Sequence, residues 1–302
     1  MLKKLKKEYA DALRSAFGEQ TKTLYYIDEI ARLTVCGLDG SEDLLQKCAF
    51  DADNLFTFKG EPLGSASDAH TAGVSATVGM NEAYYCSAVC DYAEQIGRPI
   101  EESELLAAAP NEDTDLGISV AYVRNAVSDE AFKRFACAMK SPSVSYTASF
   151  AAACEEVYYG RVRYCILPYE SSDEGTLSGF MKMIRKYELY TECVCSVRGE
   201  RSSTRFVLLS RQGGEMLTAK GSKRYLKVTV DSPDADTYVK LSVAASAMRL
   251  RQIKSESMPV SWDDGRYGCV LTYELCGSAS PFLLFLTLFA PECSDRSVYI
   301  EI

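Results

Sequence analysis

The feature that most constrains this chain is a change of rhythm at Gly117. Beyond it, short apolar runs of strand length alternate with amphipathic runs of helix length. Ile118–Val123, Val144–Ala148 and Tyr164–Pro168 read as buried strands. The segments Asp129–Met139 and Phe150–Tyr159 between them read as helices, the second closed by Gly160. Antiparallel strands can be joined by a tight turn, but parallel strands need a crossover long enough for a helix. The β-α-β-α-β order therefore predicts a parallel α/β sheet with right-handed crossovers. In such sheets ligands sit at the carboxyl ends of the strands. Those ends carry Arg124, Asn125, Ser149 and Glu170–Ser172. Ser128 is expected to cap the first helix, with acidic residues in the first turn where the helix dipole favours them.

The pattern then continues with a helix over Thr176–Tyr187. A hairpin follows, made of Tyr190–Val197 and Thr204–Ser210 around the polar turn Arg198–Ser203. After a polar linker, Gln212–Ser222, the remainder reads β-α-β-β-α-β. Its elements are Tyr225–Val230, Asp236–Met248, Leu250–Ser255, Tyr267–Leu275, Pro281–Phe289 and Val298–Ile302. That order predicts a ferredoxin-like antiparallel sheet with two helices.

Upstream of Gly117 the periodicity is helical. Leu2, Leu5, Tyr9, Leu13 and Phe17 form one stripe and Leu24, Ile27, Ile30 and Leu33 another, so residues 1–35 read as helix. Residues 51–80 are rich in Gly, Ser, Ala and Asp and read by default as a surface loop, with an irregular hairpin or a pocket wall as alternatives. Met80–Ile96 returns to helical spacing, and a short helix follows over Glu101–Ala109. The polar run Pro110–Gly117 marks a boundary. The expected domains are a mainly helical 1–117, an α/β lobe 118–211 and an α+β module 223–302.

Composition narrows the chemistry. The net charge of −9 argues against nucleic-acid binding, which relies on basic surface to displace counterions. The basic start (Lys3, Lys4, Lys6, Lys7) has leucines between the lysines and reads as solvated helix. The apolar run Pro281–Pro291 is far too short to span a bilayer, and no secretion signal is legible. The 12 cysteines form no C-x-x-C pair and read as small apolar residues in a reducing, cytoplasmic compartment. With a single histidine, any Ser-His-Asp or Cys-His mechanism would have to run through His70, a zinc site would need further ligands, and no G-x-S-x-G elbow or phosphate-binding glycine fingerprint is present. No cofactor is expected. Any chemistry falls to carboxylates, hydroxyls and binding geometry.

Two motifs stand out in this frame. Pro168-Tyr169-Glu170-Ser171-Ser172-Asp173-Glu174-Gly175 closes the third strand, and Ser203-Thr204-Arg205-Phe206 opens the hairpin's second strand. In this order, ahead of a ferredoxin-like module, they resemble prephenate dehydratase, which carries a Pro-x-Glu-Asn-Ser-x-x-Gly stretch, a Thr-Arg-Phe stretch and then an ACT regulatory domain. The resemblance covers residues 118–302. It implies one lobe of a periplasmic-binding-protein-like domain followed by an ACT-like domain. It also implies Thr204 as the catalytic residue that helps a hydroxyl leave, with Ser128, Glu170, Ser171, Ser172, Arg205 and Phe206 lining the ligand cleft. Asp234 and Ala235 stand at the family's Gly-Ala-Leu turn, and Glu256 and Ser257 in its Glu-Ser-Arg-Pro motif, so these four are the implied regulatory positions. A small-molecule carboxylate or amino acid and a homodimer through the ACT-like sheet are the implied partners.

The chain also departs from the family. Ser171 replaces the asparagine, Arg124–Ser128 replaces the glycine-rich loop, Met258 replaces the arginine, and only Thr176–Ser203 separates the two motifs where the family places a second lobe. The expected function is therefore small-molecule binding or regulation in an aromatic amino-acid context. The alternative is an active dehydratase, a carbon–oxygen lyase, completed by residues 1–110 or by a partner chain. Each site residue also has a plain structural reading: Glu170 as a turn residue, Thr204 as a β-branched strand residue, Arg205 as the partner of a carboxylate and Ser128 as a helix cap.

Overall fold

The computed structural model of the chain describes residues 2–38, 43–58, 61–62, 71–106, 117–199, 202–211, 222–230, 235–259, 267–293 and 295–302. The first elements are α1 (Leu2–Cys36), α2 (Leu44–Phe56), the two-residue strands β1 (Thr57–Phe58) and β2 (Glu61–Pro62), α3 (Thr71–Gln95) and α4 (Glu102–Leu105). Next come β3 (Ser119–Val123), α5 (Ala126–Ala136), β4 (Ser143–Thr147), α6 (Phe150–Tyr158), β5 (Tyr164–Ser171), β6 (Gly175–Thr176) and α7 (Ser178–Lys186). The chain continues with β7 (Tyr190–Arg198), β8 (Ser203–Ser210), β9 (Lys223–Val230), α8 (Ala235–Ala247), β10 (Arg251–Pro259), β11 (Tyr267–Leu275), α9 (Ser280–Phe289) and β12 (Asp295–Glu301). The architecture is mixed α/β.

Residues group into two compact units that interleave along the chain. One comprises Met1–Glu101, Pro233–Leu250 and Ser280–Pro291, and the other Glu102–Ser232, Arg251–Ala279 and Glu292–Ile302.

The first unit is helical. Ile27, Ala31, Thr34 and Val35 form the buried stripe of α1, and Ala83, Cys86, Val89 and Ala93 that of α3. Helical spacing of apolar residues puts each set on one face. Polar ties fix the register: Thr34 Oγ1 donates to Asp51 Oδ2 at 2.9 Å and Tyr92 Oη to Asp28 Oδ2 at 2.9 Å. Helix α8 lies close to α3 at Gly79, where a Cβ would stand 3.1–3.3 Å from Lys240 atoms, backbone included. Lys240 pairs with buried Glu82 at 3.0 Å and donates to the carbonyl of Phe289, the last residue of α9, at 2.9 Å. The glycine-rich stretch 51–80, read by default as a surface loop, contributes the end of α2, the short antiparallel pair β1–β2 that matches the hairpin alternative, and the first turns of α3 where it is described. His70 lies outside the described residues.

The second unit is built on one sheet in the order β10-β11-β9-β12-β7-β8-β5-β3-β4, with β6 added on β5. β4, β3 and β5 are parallel, and β7–β8 is the expected hairpin. Alternating residues sort to two faces. Cys165, Leu167, Val194, Val207 and Leu209 pack with α6 and α7, while Tyr164, Ile166, Cys193, Cys195 and Leu208 pack with α5. The stretches 118–211 and 223–302 thus share a single sheet. β12 is the joint: it pairs along its length with β9, and in parallel with β7 only at Ile300↔Cys193 and Glu301↔Val194.

Three local expectations are corrected. Helix α5 starts at Ala126 and its N-cap is Asn125, not Ser128. The Asn125 carboxamide oxygen accepts from the Val127 and Ser128 amides at 3.1 and 2.8 Å, which spends two of the amides that a helix start leaves unpaired. Helix α7 begins at Ser178, because Thr176 is held in β6, opposite Glu170 on β5. Gly175, at φ +70°, makes the tight return that this pairing needs.

Candidate functional site

Pairing of β5 with β8 sets Glu170 opposite Arg205 and Ser171 opposite Thr204. The two sequence motifs are therefore brought side by side by main-chain register. Past Ala121↔Cys165, β3 no longer pairs with β5: β3 follows β4 to Val123↔Thr147, while β5 follows β8 to Ser171↔Thr204. The carboxyl ends of β3 and β5 part there, as α/β sheets do at ligand crevices.

Arg205 is the hub of a charge network. Its Nη2 donates to Glu301 Oε1 at 2.8 Å and its Nη1 to Glu170 Oε2 at 3.4 Å. Lys254 Nζ donates to the same Glu170 oxygen at 3.1 Å and stands 3.2 Å from Glu256 Oε2. Thr176 Oγ1 donates to Glu256 Oε1, and Tyr169 Oη reaches Glu256 Oε2 at 3.5 Å. Lys254 also lies over the Tyr169 ring, 5.7 Å from its centroid. Three carboxylates face two cations, so the network is net negative. Burial, followed by the Glu256 charge, raises the Tyr169 phenol and keeps it neutral. The Arg205 guanidinium is held charged: burial opposes that, and the carboxylates of Glu301 and Glu170 outweigh it.

This network also determines the shape of the sheet. β10 stands six places from β5 in strand order. In a flat sheet that separation would be roughly 29 Å. Contact between Lys254 and Glu170 at 3.1 Å therefore requires the strands to curl until β10 meets β5. The charged side chains form a clasp across that closure.

The remaining predicted residues are placed as follows. Ser171 Oγ accepts from the Asp173 amide at 3.3 Å and Ser172 Oγ from the Ser203 amide at 3.0 Å, so both hold the turn between β5 and β6. Thr204 is half-buried on β8. Phe206 is 3 % exposed and packs into the core with Ile166, Cys195 and Leu208. Ser128 is buried at the third position of α5, and its hydroxyl has no hydrogen-bond partner among the described residues. Glu256 joins the clasp, whereas Ser257 is exposed on β10 opposite Cys269. Ala235 is the first residue of α8, and Asp234 lies outside the described residues.

Sequence reading missed Lys254, Tyr169, Thr176 and Glu301. Lys254 had a legible signal, since it stands two residues from Glu256 and so on the same face of β10. Glu301 had none. Among the described residues no group of three His, Cys, Asp or Glu side chains is arranged for a metal, and no helix is long and apolar enough to cross a membrane.

No protein-family model matches the chain, and no curated protein matches it. Among solved structures, prephenate dehydratase from Streptococcus mutans is similar at 15% identity and TM-score 0.49, over 61% of this chain and 98% of that one. Prephenate dehydratase from Arthrobacter aurescens, solved in complex with L-Phe, is similar at 12% identity and TM-score 0.45, over 60% of this chain and 89% of that one. GqqA, described as a novel type of quorum-quenching acylase, is similar at 17% identity and TM-score 0.46, over 62% of this chain and 95% of that one. Likeness at this level identifies neither a family nor a reaction.

Proposed function

We propose that the chain is a divergent relative of the prephenate dehydratases that binds a small carboxylate at Arg205 and does not catalyse the dehydration. Its ligand class is an aromatic amino acid, its role is regulatory, and it assembles as a homodimer through the sheet of its ACT-like module. The β10-β11-β9-β12 order matches the strand order of a ferredoxin-like sheet and supports the ACT-like reading of the module, while the homodimer rests on the resemblance alone.

The observation that carries the proposal is the occupancy of Arg205. Its Nη2 is engaged by a single oxygen of Glu301, while Nε on the same edge of the guanidinium is buried with no partner among the described residues. A guanidinium edge binds a carboxylate best through two parallel hydrogen bonds. The edge is therefore half-filled, and it would match one ligand carboxylate once Glu301 gives up Nη2. The net negative surroundings suit a zwitterion, whose ammonium would face Glu170 or Glu256, and repel a dianion such as prephenate. The start of α5, which could have received a second carboxylate, is already capped by Asn125 and carries Asp129 in its first turn.

The test has two arms. Phenylpyruvate formation from prephenate is expected to stay at the uncatalysed rate with wild type and Thr204→Ala alike. Calorimetry with L-phenylalanine is expected to show binding that Arg205→Ala abolishes while leaving the circular dichroism spectrum unchanged. Turnover lost specifically in Thr204→Ala would reverse the assignment in favour of an active lyase.

A further inference from the structure

Resting on that reading of Arg205, we infer that Glu301 is a built-in competitor for the ligand carboxylate, so that ligand binding is coupled to the seam where β12 meets β7. The coupling follows from where Glu301 sits. β12 touches β7 through two residue pairs, Ile300↔Cys193 and Glu301↔Val194, and through the Ile302 amide donating to the Val194 carbonyl at 3.0 Å. This is the only pairing between strands 190–210 and strands 223–301 among the described residues. Glu301 contributes to it twice, by backbone register with Val194 and by its side chain on Arg205 of β8.

The chemistry sets the direction of the competition. Glu301 makes one hydrogen bond to the guanidinium edge and leaves Nε buried without a partner among the described residues. A ligand carboxylate that takes both Nε and Nη2 gains a bond that Glu301 does not make and relieves an unsatisfied buried donor. It must also remove the Glu301 carboxylate, because two carboxylates on one edge repel each other. The displaced side chain ends its link from β12 to β8 and leaves the seam to its short backbone pairing and the packing of Tyr299 and Ile300. Ligand occupancy is thus read out as loosening at the β12–β7 seam, while Lys254–Glu170 and Thr176–Glu256 still tie the two halves of the sheet at the clasp. Glu170 remains on Nη1 at the other side of the guanidinium throughout.

The experiment combines calorimetry with hydrogen exchange on the full chain, using L-phenylalanine as the probe. Glu301→Gln is expected to bind it about fivefold more tightly than wild type, the scale of a half-exposed ion pair released. Exchange at Ile302 is expected to speed up when wild type is saturated with L-phenylalanine, and to be fast in Glu301→Gln with or without it. Glu301→Asp, one methylene shorter, is expected to fall between the two and serves as the reporter if the glutamine variant folds poorly. Equal affinity in wild type and variants, with ligand-independent exchange at Ile302, would overturn the inference and leave Arg205 as a ligand site. Binding to none of the proteins would remove the site itself, and the inference with it.

Discussion

Glu192 offers the sharpest test of the energetics of the second unit. It sits in β7 at the irregularity between Thr191 and Cys193, 2 % exposed, with Oε1 accepting from Ser210 Oγ at 2.5 Å and Oε2 without a partner among the described residues. Burial pushes its carboxyl up to about 7, against the favourable Ser210 hydrogen bond and the nearby Arg163 charge. The folded state therefore holds a proton that the unfolded chain releases at its ordinary value of 4.5. Wherever the folded state binds more protons, stability falls as pH rises. The loss begins near the unfolded value and is complete just above 7. Integrated between pH 5 and pH 8, this single group removes about 2.5 kcal/mol. Glu192→Gln cannot ionise and retains an acceptor for Ser210. Its stability relative to wild type should thus rise by about 2 to 3 kcal/mol from pH 5 to pH 8, whatever its offset at pH 5 from an unpaired amide. Urea unfolding of both proteins at four pH values measures this difference directly, and every other titrating group cancels between them. Curves that stay parallel from pH 5 to pH 8 would refute the account of Glu192 as a buried, proton-holding carboxyl.

Three further outcomes follow from the same structure. Lys240→Met strands Glu82, whose carboxyl burial already pushes up to about 7, and should destabilise the chain by about 3 kcal/mol at pH 8 and clearly less at pH 6, measured by chemical unfolding. Asn125→Ala should lower stability by about 1 kcal/mol through the lost cap, while Ser128→Ala, which removes an unpartnered buried hydroxyl, should be neutral or stabilising; the reverse ranking would restore Ser128 as the cap. Phe206→Ala should destabilise by about 3 to 5 kcal/mol in thermal or urea unfolding, as expected of a core ring and not of a ligand contact.

The elements of the second unit were legible because local periodicity writes them. Tyr164–Pro168 and Thr204–Ser210 are strands by composition, and the two motifs met because hairpin and crossover connections leave few ways to order β5, β7 and β8. Helix starts were less legible. Ser128 and Asn125 are both good caps, and only the backbone geometry, extended at Asn125 with φ −158°, decides between them. The first turns of α3 were hidden because Thr71–Gly79 is poor in large apolar residues. Gly79 lies against Lys240 of α8, so smallness there reflects helix packing as well as helix weakness.

The partners of Arg205 show where local reading stops. Glu170 is 35 residues away and Glu301 is 96 residues away along the chain. Nothing near Glu301 in sequence distinguishes it from any other exposed strand carboxylate. It acquires a role only because β12 is inserted between β9 and β7, which places its last side chain beside β8. The same insertion sets the charge balance on which the proposed function rests. A guanidinium with a half-filled edge, set among more carboxylates than cations, still discriminates one carboxylate from none. The proposed function disfavours a dianion there, because each added charge would meet Glu170, Glu256 and Glu301 at close range in a partly desolvated site. On the proposed function, selectivity for a zwitterion and the absence of dehydratase turnover are two consequences of one arrangement, and neutralising Glu170, Glu256 and Glu301 together should weaken the first before it yields any part of the second.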